Sequence, residues 1–321
     1  MMKWFLFLAA FLPITPTMAE VVNSVSNCSE FLLEGSPPQI PGIIENGVIK
    51  DQNRYKLICQ TFNNKRRFLT VYDTTNKIPV FSAYKFKKIT AEERPNIPWM
   101  IKSQLSGDAE INMKNYKPTK DDKQATDGCY KQNNQGYDRG HLYPVFHGPE
   151  VDDKKSTYTL TNVVPQAKNF NRGRWRVMEA RVKNLMEKYC INNSVIEGFV
   201  VVGALPSADK FLLRGKVNIP DKLWSAFCCY SSTKNKWLAG AHWDKNTNES
   251  EGCLPIKRGE LSSVRELNQE LNKELKTTSV NVFPGQNECL NNDELVKTFG
   301  KRPKEIKKEE NKGGKRRKIG R

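Results

Sequence analysis

Three stretches decide how this chain reads: Tyr137-Asp138-Arg139-Gly140-His141-Leu142-Tyr143-Pro144, Thr161-Asn162-Val163-Val164-Pro165-Gln166, and Asn171-Arg172-Gly173-Arg174-Trp175-Arg176-Val177-Met178-Glu179. The first holds one of the three histidines in the sequence. Arg139 and His141 are two positions apart, so on an extended strand their side chains leave the same face. A guanidinium beside an imidazole disfavours the protonated ring and attracts an anion. That suits a neutral histidine taking a proton next to a phosphate. Gly140 lets another group come close to the backbone. A histidine taken alone is more often a structural or surface residue. In the third stretch, Asn171 offers a hard carbonyl oxygen of the kind that suits Mg²⁺, an ion that keeps several waters and needs few protein ligands. Glu179 follows eight residues later, a little over two helical turns, on the side of the helix that borders Asn171. Taken singly, Asn171 reads as well as a helix N-cap, and Glu179 as an exposed helix charge.

Around these stretches the patterning is mixed. Residues 55–61 read as a strand, as do 67–73 and 78–86, with Thr74-Thr75-Asn76-Lys77 as the turn between the latter two. Pro79 belongs at a strand start or a sheet edge. Residues 87–135 are polar and read as long loops, which in a compact domain often carry function. Residues 158–164 predict a further strand. Trp175, Met178, Val182, Leu185, Met186 and Tyr189 then recur at helical spacing. Residues 195–205, 223–230 and 237–242 predict strands. Ser263-Val264-Arg265-Glu266 resembles a capping box opening a helix with Val264, Leu267 and Leu271 on one face. Strands with a few interspersed helices and no repeat make the class α+β.

Composition sets the surroundings. Of 321 residues, 38% are apolar and 27% charged, enough for a real core and too mixed for a disordered chain. No internal run reaches the roughly 18 apolar residues of a membrane helix. The net charge of +17 points to a polyanionic partner. Residues 301–321 hold 11 basic and 3 acidic residues, so about half of that charge sits in a terminal segment. A solvated basic end and a polyanion-binding tail fit this segment equally. Lys3, the apolar run 4–12 and Thr17-Met18-Ala19 read as a secretory signal cleaved after Ala19. Eight cysteines, all beyond that point, suit an oxidising compartment and up to four disulfides of unassigned pairing. The adjacent Cys228 and Cys229 are expected to bond to different partners. Zinc is disfavoured, because there is no C-x-x-C pair and no histidine near a cysteine cluster. Asn27, Asn192 and Asn248 head glycosylation sequons.

The D-R-G-H box Asp138–His141, followed by Asn171, Trp175 and Glu179 in the spacing N-x-x-x-W-x-x-x-E, resembles the DNA/RNA non-specific endonucleases of the ββα-metal type. Thr161-Asn162 with Pro165-Gln166 matches the family's intervening element. The resemblance covers roughly residues 55–285. Cys28 with Glu30-Phe31, Ile58-Cys59-Gln60, residues 67–72 and residues 78–84 are similar to the endonuclease domain-containing 1 branch of vertebrates, whose members bear secretory signals. The resemblance implies a ββα-metal (His-Me finger) fold with a mixed antiparallel sheet and flanking helices. It implies a secreted enzyme that hydrolyses DNA and/or RNA with little sequence specificity and uses Mg²⁺, with Mn²⁺ as the alternative. By the same resemblance His141 is the general base, Asn171 the metal ligand, and Glu179 the residue that orients metal-bound water. Arg139 contacts the substrate phosphate, with Arg94 as the nearest match to an upstream arginine that stabilises the pentacovalent phosphate. Asp138 orients the box. Arg172 and Arg174 are expected to bind substrate, joined by Lys168 and Arg176, whose plainer reading is a solubilising helix face. The implied layout is a signal peptide (1–19), an N-terminal extension (20–54), the endonuclease domain (55–296) and a basic tail (297–321). A polyanion-binding protein without catalysis is the competing reading. A nuclear import signal in the tail conflicts with the signal peptide.

Overall fold

Alternating apolar residues build a central antiparallel sheet in the computed structural model, which describes residues 21–22, 24–91, 93–115, 123–131, 134–209, 211–248 and 261–299. The expected signal segment 1–19, Cys253 and residues 300–321 of the expected basic tail lie outside the described residues. In chain order the main elements are β1 (Tyr55–Phe62), β2 (Lys65–Asp73), β3 (Ile78–Lys87), β4 (Tyr137–His141), β5 (Val163–Ala167), α1 (Arg176–Tyr189), β6 (Val195–Leu205), β7 (Lys222–Ser231), β8 (Lys236–Lys245) and α2 (Val264–Leu275). The large sheet runs β1-β2-β3-β6-β7-β8, with the short strand Val21–Val22 added beside β1. Its neighbours all pair antiparallel.

Strand side chains alternate between the two faces, so the sheet carries a core on each side. On β6, Val200, Val202 and Ala204 join one core and Val201 and Leu205 the other. The first core is closed by the β4–β5 ribbon and by α1. The buried stripe Met178, Val182, Leu185 and Met186 seats α1 on the sheet, each side chain contributing about 1.5–3 kcal/mol before entropy is counted. The second core is closed by residues 22–49 and by α2 through Val264, Leu267 and Leu271.

The same alternation explains the disulfides. Cys228 and Cys229 are neighbours on β7, so they point to opposite faces. Cys229 bonds Cys190 at the end of α1, and Cys228 bonds Cys289 on the other side. Cys28–Cys59 ties the N-terminal segment to β1. Three disulfides are the usage of an oxidising compartment.

Several expectations need correction. Residues 158–164 are not one strand: Leu160–Asn162 form a 3₁₀ turn and β5 starts at Val163. Side-chain hydrogen bonds turn the backbone there. The buried Asn162 Oδ1 accepts from Ser82 Oγ (3.0 Å) and from the Tyr143 amide (3.0 Å). Its Nδ2 donates to the carbonyls of Tyr143 (3.2 Å) and Thr157 (3.1 Å). Gln60 Nε2 donates to Thr161 Oγ1 (2.8 Å). Side-chain bonds of this kind, most of them to positions distant in sequence, stand in for the strand ladder here. The Thr161-Asn162 pair thereby clamps the chain just after His141 to the sheet. In the expected N-terminal extension, Val25–Phe31 and Leu33–Gly35 are 3₁₀ turns, and Val25, Cys28 and Phe31 are buried. Pro79 meets the first of its two expected placements, a strand start, since β3 begins at Ile78 and is flanked by β2 and β6. The capping box at Ser263 forms as expected, with Ser263 Oγ accepting from the Glu266 amide (3.2 Å) and Glu266 Oε2 accepting from the Ser263 amide (2.8 Å).

Candidate active site

The D-R-G-H box is strand β4. It pairs with β5 in the register His141↔Val163, Gly140↔Val164, Arg139↔Pro165 and Asp138↔Gln166. A Cβ on Gly140 would overlap the side-chain amide of Gln166, so the small residue lets Gln166 fold over the ribbon. The chain then turns through Lys168–Phe170 and a wide π-type turn, Asn171–Trp175, kinked at Gly173 (φ −103°, ψ −110°). Regular helix begins only at Arg176. Asn171 and Glu179 are therefore separated by a bend and not by two straight turns. Two strands and this helix form one ββα unit on the first core.

His141 is buried and flanked by aromatic rings. Trp99 lies 5.2 Å away between centroids, and Tyr158 meets the ring edge-on at 5.2 Å. Burial, reinforced by the charge of Arg94, pulls the imidazole down to about 3. It is neutral at any physiological pH, and its Nε2 is buried without a hydrogen-bond partner. The cation acting on His141 is thus Arg94. Arg139 is held elsewhere: its guanidinium pairs with Asp127 and lies over the rings of Trp99 (5.4 Å) and Tyr130 (5.5 Å). Arg94 is exposed and donates from Nε to the Tyr158 hydroxyl (3.0 Å). Its charge also acts on Glu179.

Glu179 is only partly exposed. Burial pushes its carboxyl up to about 8, against the opposing influence of Trp175, Arg94 and Arg176. The Trp175 indole N–H faces the carboxyl without the alignment of a hydrogen bond. His147, a second buried histidine, fixes the helix at this point. Its Nε2 bonds the Glu179 carbonyl (2.9 Å), which can only accept, so Nδ1 accepts from the Tyr84 hydroxyl (2.7 Å). Burial lowers His147 to about 4.

Asp138 holds the start of the helical segment. Its carboxylate accepts from Asn171 Nδ2 (3.2 Å) and from Arg172 Nε and Nη2 (2.7 and 2.9 Å). Burial raises Asp138, but these donors outweigh it and hold the group below its ordinary value. With its amide nitrogen bound to Asp138, Asn171 turns its carbonyl oxygen away from that carboxylate. Arg174 is engaged with Asp244 and with the Lys245 carbonyl (3.0 Å), and it lies over Phe170. Arg172 is exposed beyond its pair with Asp138. The structure therefore brings His141, Arg94 and Glu179 into one electrostatic neighbourhood. It ties Asn171 to the box through Asp138 and leaves Arg139 and Arg174 in internal ion pairs. Trp99, Tyr158, Asp127 and His147 were not foreseen, because none carries a local sequence signal for its role.

Among the described residues no group of three or more His, Cys, Asp or Glu side chains converges as a metal cage. A hydrated hard cation needs less than that. Buried polar atoms are almost always paired in native proteins, yet His141 Nε2, Trp175 Nε1 and both amide atoms of Gln166 are not. These belong to the ββα unit that presents the Asn171 oxygen, a donor set that fits an ion holding most of its own water.

The two buried histidines and Glu179 give the protein an opposed pH response. The folded state keeps both rings neutral, while the unfolded chain protonates them near 6.5. Their contribution is fully present above that value and is lost as pH falls toward 3–4. Glu179 acts in the other sense: its raised value adds stability at low pH that is lost as pH rises through about 8. In chelator, Glu179→Gln is expected to lose about 4 kcal/mol of unfolding free energy between pH 7 and pH 5. The wild type should lose less. Urea unfolding at the two pH values measures both, and identical losses would contradict the buried state of Glu179.

Residues 47–287 match the DNA/RNA non-specific endonuclease family. The chain is 31% identical over 212 residues to the mouse endonuclease domain-containing 1 protein, covering 63% of this chain and 38% of that one. The human counterpart is 26% identical over 257 residues, covering 76% and 46%. The chain thus spans less than half the length of these curated relatives. A nuclease of Serratia marcescens is 28% identical over 113 residues, 34% of this chain and 41% of that one. Among solved structures, the complex of EndoG with EndoGI aligns with a TM-score of 0.49 at 16% identity, covering 68% of this chain and 84% of that one. The family match spans most of the sheet and the whole ββα unit, and on it the chain belongs to the DNA/RNA non-specific endonucleases.

Proposed function

We propose that this protein is an exported, metal-assisted endonuclease that hydrolyses phosphodiester bonds of DNA and/or RNA with little sequence preference. The observation that carries the reading is His141: a neutral, buried imidazole with an unpartnered Nε2, beside an exposed Arg94 whose charge reaches both His141 and Glu179. His141 takes the proton of the attacking water. Its basicity is low without substrate because the ring is buried, and the charge of Arg94 lowers it further. A phosphate arriving at Arg94 offsets that charge and raises the proton affinity of the ring when it is needed. Arg94 stabilises the charge that develops on the phosphoryl oxygens. Glu179 accepts a hydrogen bond from water at the site, and His147 holds it in place. Asp138 aims the Asn171 amide, and Asn171 and Glu179 are the residues that would hold a divalent ion. Mg²⁺ bound there supplies Lewis-acid neutralisation of the phosphate and leaving oxygens. Arg172 adds phosphate affinity from the exposed side, and contacts to phosphate in place of base edges make the enzyme sequence-tolerant and salt-sensitive.

Export through the secretory pathway is supported by the three disulfides and by the apolar N-terminal run. No helix among the described residues is long and apolar enough to cross a membrane. The test is digestion of plasmid DNA and of a structured RNA by the secreted protein at low salt, with Mg²⁺, with Mn²⁺ and with excess chelator. Metal-dependent cutting of either substrate is the expected result. A protein that retards the plasmid on a gel but cuts it with neither ion is a polyanion-binding protein, and the enzyme reading falls.

A further inference from the structure

A second basic surface lies apart from these residues. A cleft of about 840 Å³ opens where β2 begins, β3 ends and β6 begins. Six basic side chains line it, Lys65, Arg66, Arg67, Lys85, Lys87 and Lys88, and so do the four carboxylates of Glu30, Glu150, Asp153 and Glu197. His141, Arg94, Asn171 and Glu179 do not. Two of the six are committed to carboxylates. Arg67 pairs with Asp152 (3.4 Å) and Asp153 (3.0 Å), and Lys85 pairs with Glu197 (2.6 Å). Lys65, Arg66, Lys87 and Lys88 have no ion pair among the described residues. β2 and β3 are antiparallel, so the start of one and the end of the other lie at the same end of the sheet. Like charges gathered in this way repel in the free protein, and a polyanion relieves the repulsion.

The cleft is tethered to the catalytic side. The amides of Thr90 and Ala91 donate to the Pro149 carbonyl (2.9 and 3.2 Å), and Pro149 and Thr90 both line the cleft. Lys88 is six residues from Arg94, so the two lie at most roughly 20 Å apart. At a rise of about 3.4 Å per base pair that is about six base pairs of duplex. We propose that this cleft is an accessory phosphate-backbone site that takes the flank of a nucleic acid whose scissile phosphate lies at Arg94 and His141. The proposal rests on the nuclease reading for its geometry. The phosphate chemistry shared with the site at Arg94 and His141 favours a nucleic acid over a sulfated polysaccharide.

The experiment uses the full secreted chain carrying His141→Ala, so that bound substrate survives. Binding is measured against salt for a 30-base-pair DNA duplex and for a hairpin with a three-base-pair stem. The combined variant Lys65→Ser, Arg66→Ser, Lys87→Ser and Lys88→Ser should weaken the duplex about tenfold or more near 0.1 M salt. It should also lower the slope of log affinity against log salt by about 2–4. The hairpin, too short to reach the cleft, should bind both proteins alike. The pairs Lys65→Ser/Arg66→Ser and Lys87→Ser/Lys88→Ser should each give about half the slope change, with near-UV circular dichroism reporting the fold. An unchanged duplex slope overturns the proposal, and so does equal weakening of hairpin and duplex. Loss of heparin binding with duplex binding intact overturns it in favour of a sulfated polysaccharide. A wild type that cuts no nucleic acid, while the cleft variants still lose duplex affinity, sinks the nuclease reading and leaves the cleft a phosphate site.

Discussion

His141→Ala is expected to lower turnover of DNA by about 10²–10⁴-fold, the range a positioned general base supplies, while leaving substrate affinity within about threefold. The asymmetry follows from burial. The ring makes no hydrogen bond through Nε2 in the free protein, so its loss leaves no protein partner of that atom stranded. Its neighbours Trp99 and Tyr158 contact each other at 5.1 Å and can hold the wall of the site without it. Phosphate affinity resides in the cations and not in a neutral imidazole. Single-turnover cleavage and equilibrium binding, measured on the same duplex, separate the two quantities. A variant that binds tenfold more weakly yet cleaves bound DNA at the wild-type rate would remove His141 from the chemistry.

The second large effect distinguishes the two arginines that the sequence put forward. Arg94→Ala is expected to cost about 10²–10³-fold in turnover, comparable to loss of one preorganised donor at a developing charge. It should also raise the His141 titration, though burial still holds it low, because the charge of Arg94 adds to burial in disfavouring the protonated ring. Arg139→Ala should leave that titration in place. Its guanidinium is already paired with Asp127 and packed on Trp99 and Tyr130, so the damage should fall on stability and on the placement of Trp99. Histidine NMR titration of the metal-free proteins, read beside cleavage rates, decides the matter. If Arg139→Ala moves His141 and Arg94→Ala does not, the assignment of Arg94 is wrong.

Much of the fold was legible from local pattern. Every long strand of the large sheet announced itself by β-branched and aromatic runs, and α2 by its capping box, while the two-residue strand Ile191–Asn192 beside β6 did not. Periodicity of two also set Cys228 and Cys229 on opposite faces, which forbids a common partner. Legibility failed where side chains replace backbone pairing. Thr161 and Asn162 look like strand residues by composition, yet their bonds to Gln60, Ser82 and Tyr143 come from positions far away in sequence. The turn at Asn171–Trp175 was hidden for a similar reason, since helical spacing of apolar residues does not report a kink at Gly173.

The sequence by itself determined the family, the box Asp138–His141 and the Asn171, Trp175, Glu179 spacing, because these are short-range patterns that a chain carries without folding. Tertiary structure alone decided which arginine faces the histidine. Arg94 and Arg139 are 45 residues apart, and their roles turn on which one meets an acid first. Asp127 claims Arg139, Tyr158 holds Arg94 by one hydrogen bond, and the exposed guanidinium that results is the one whose charge reaches His141.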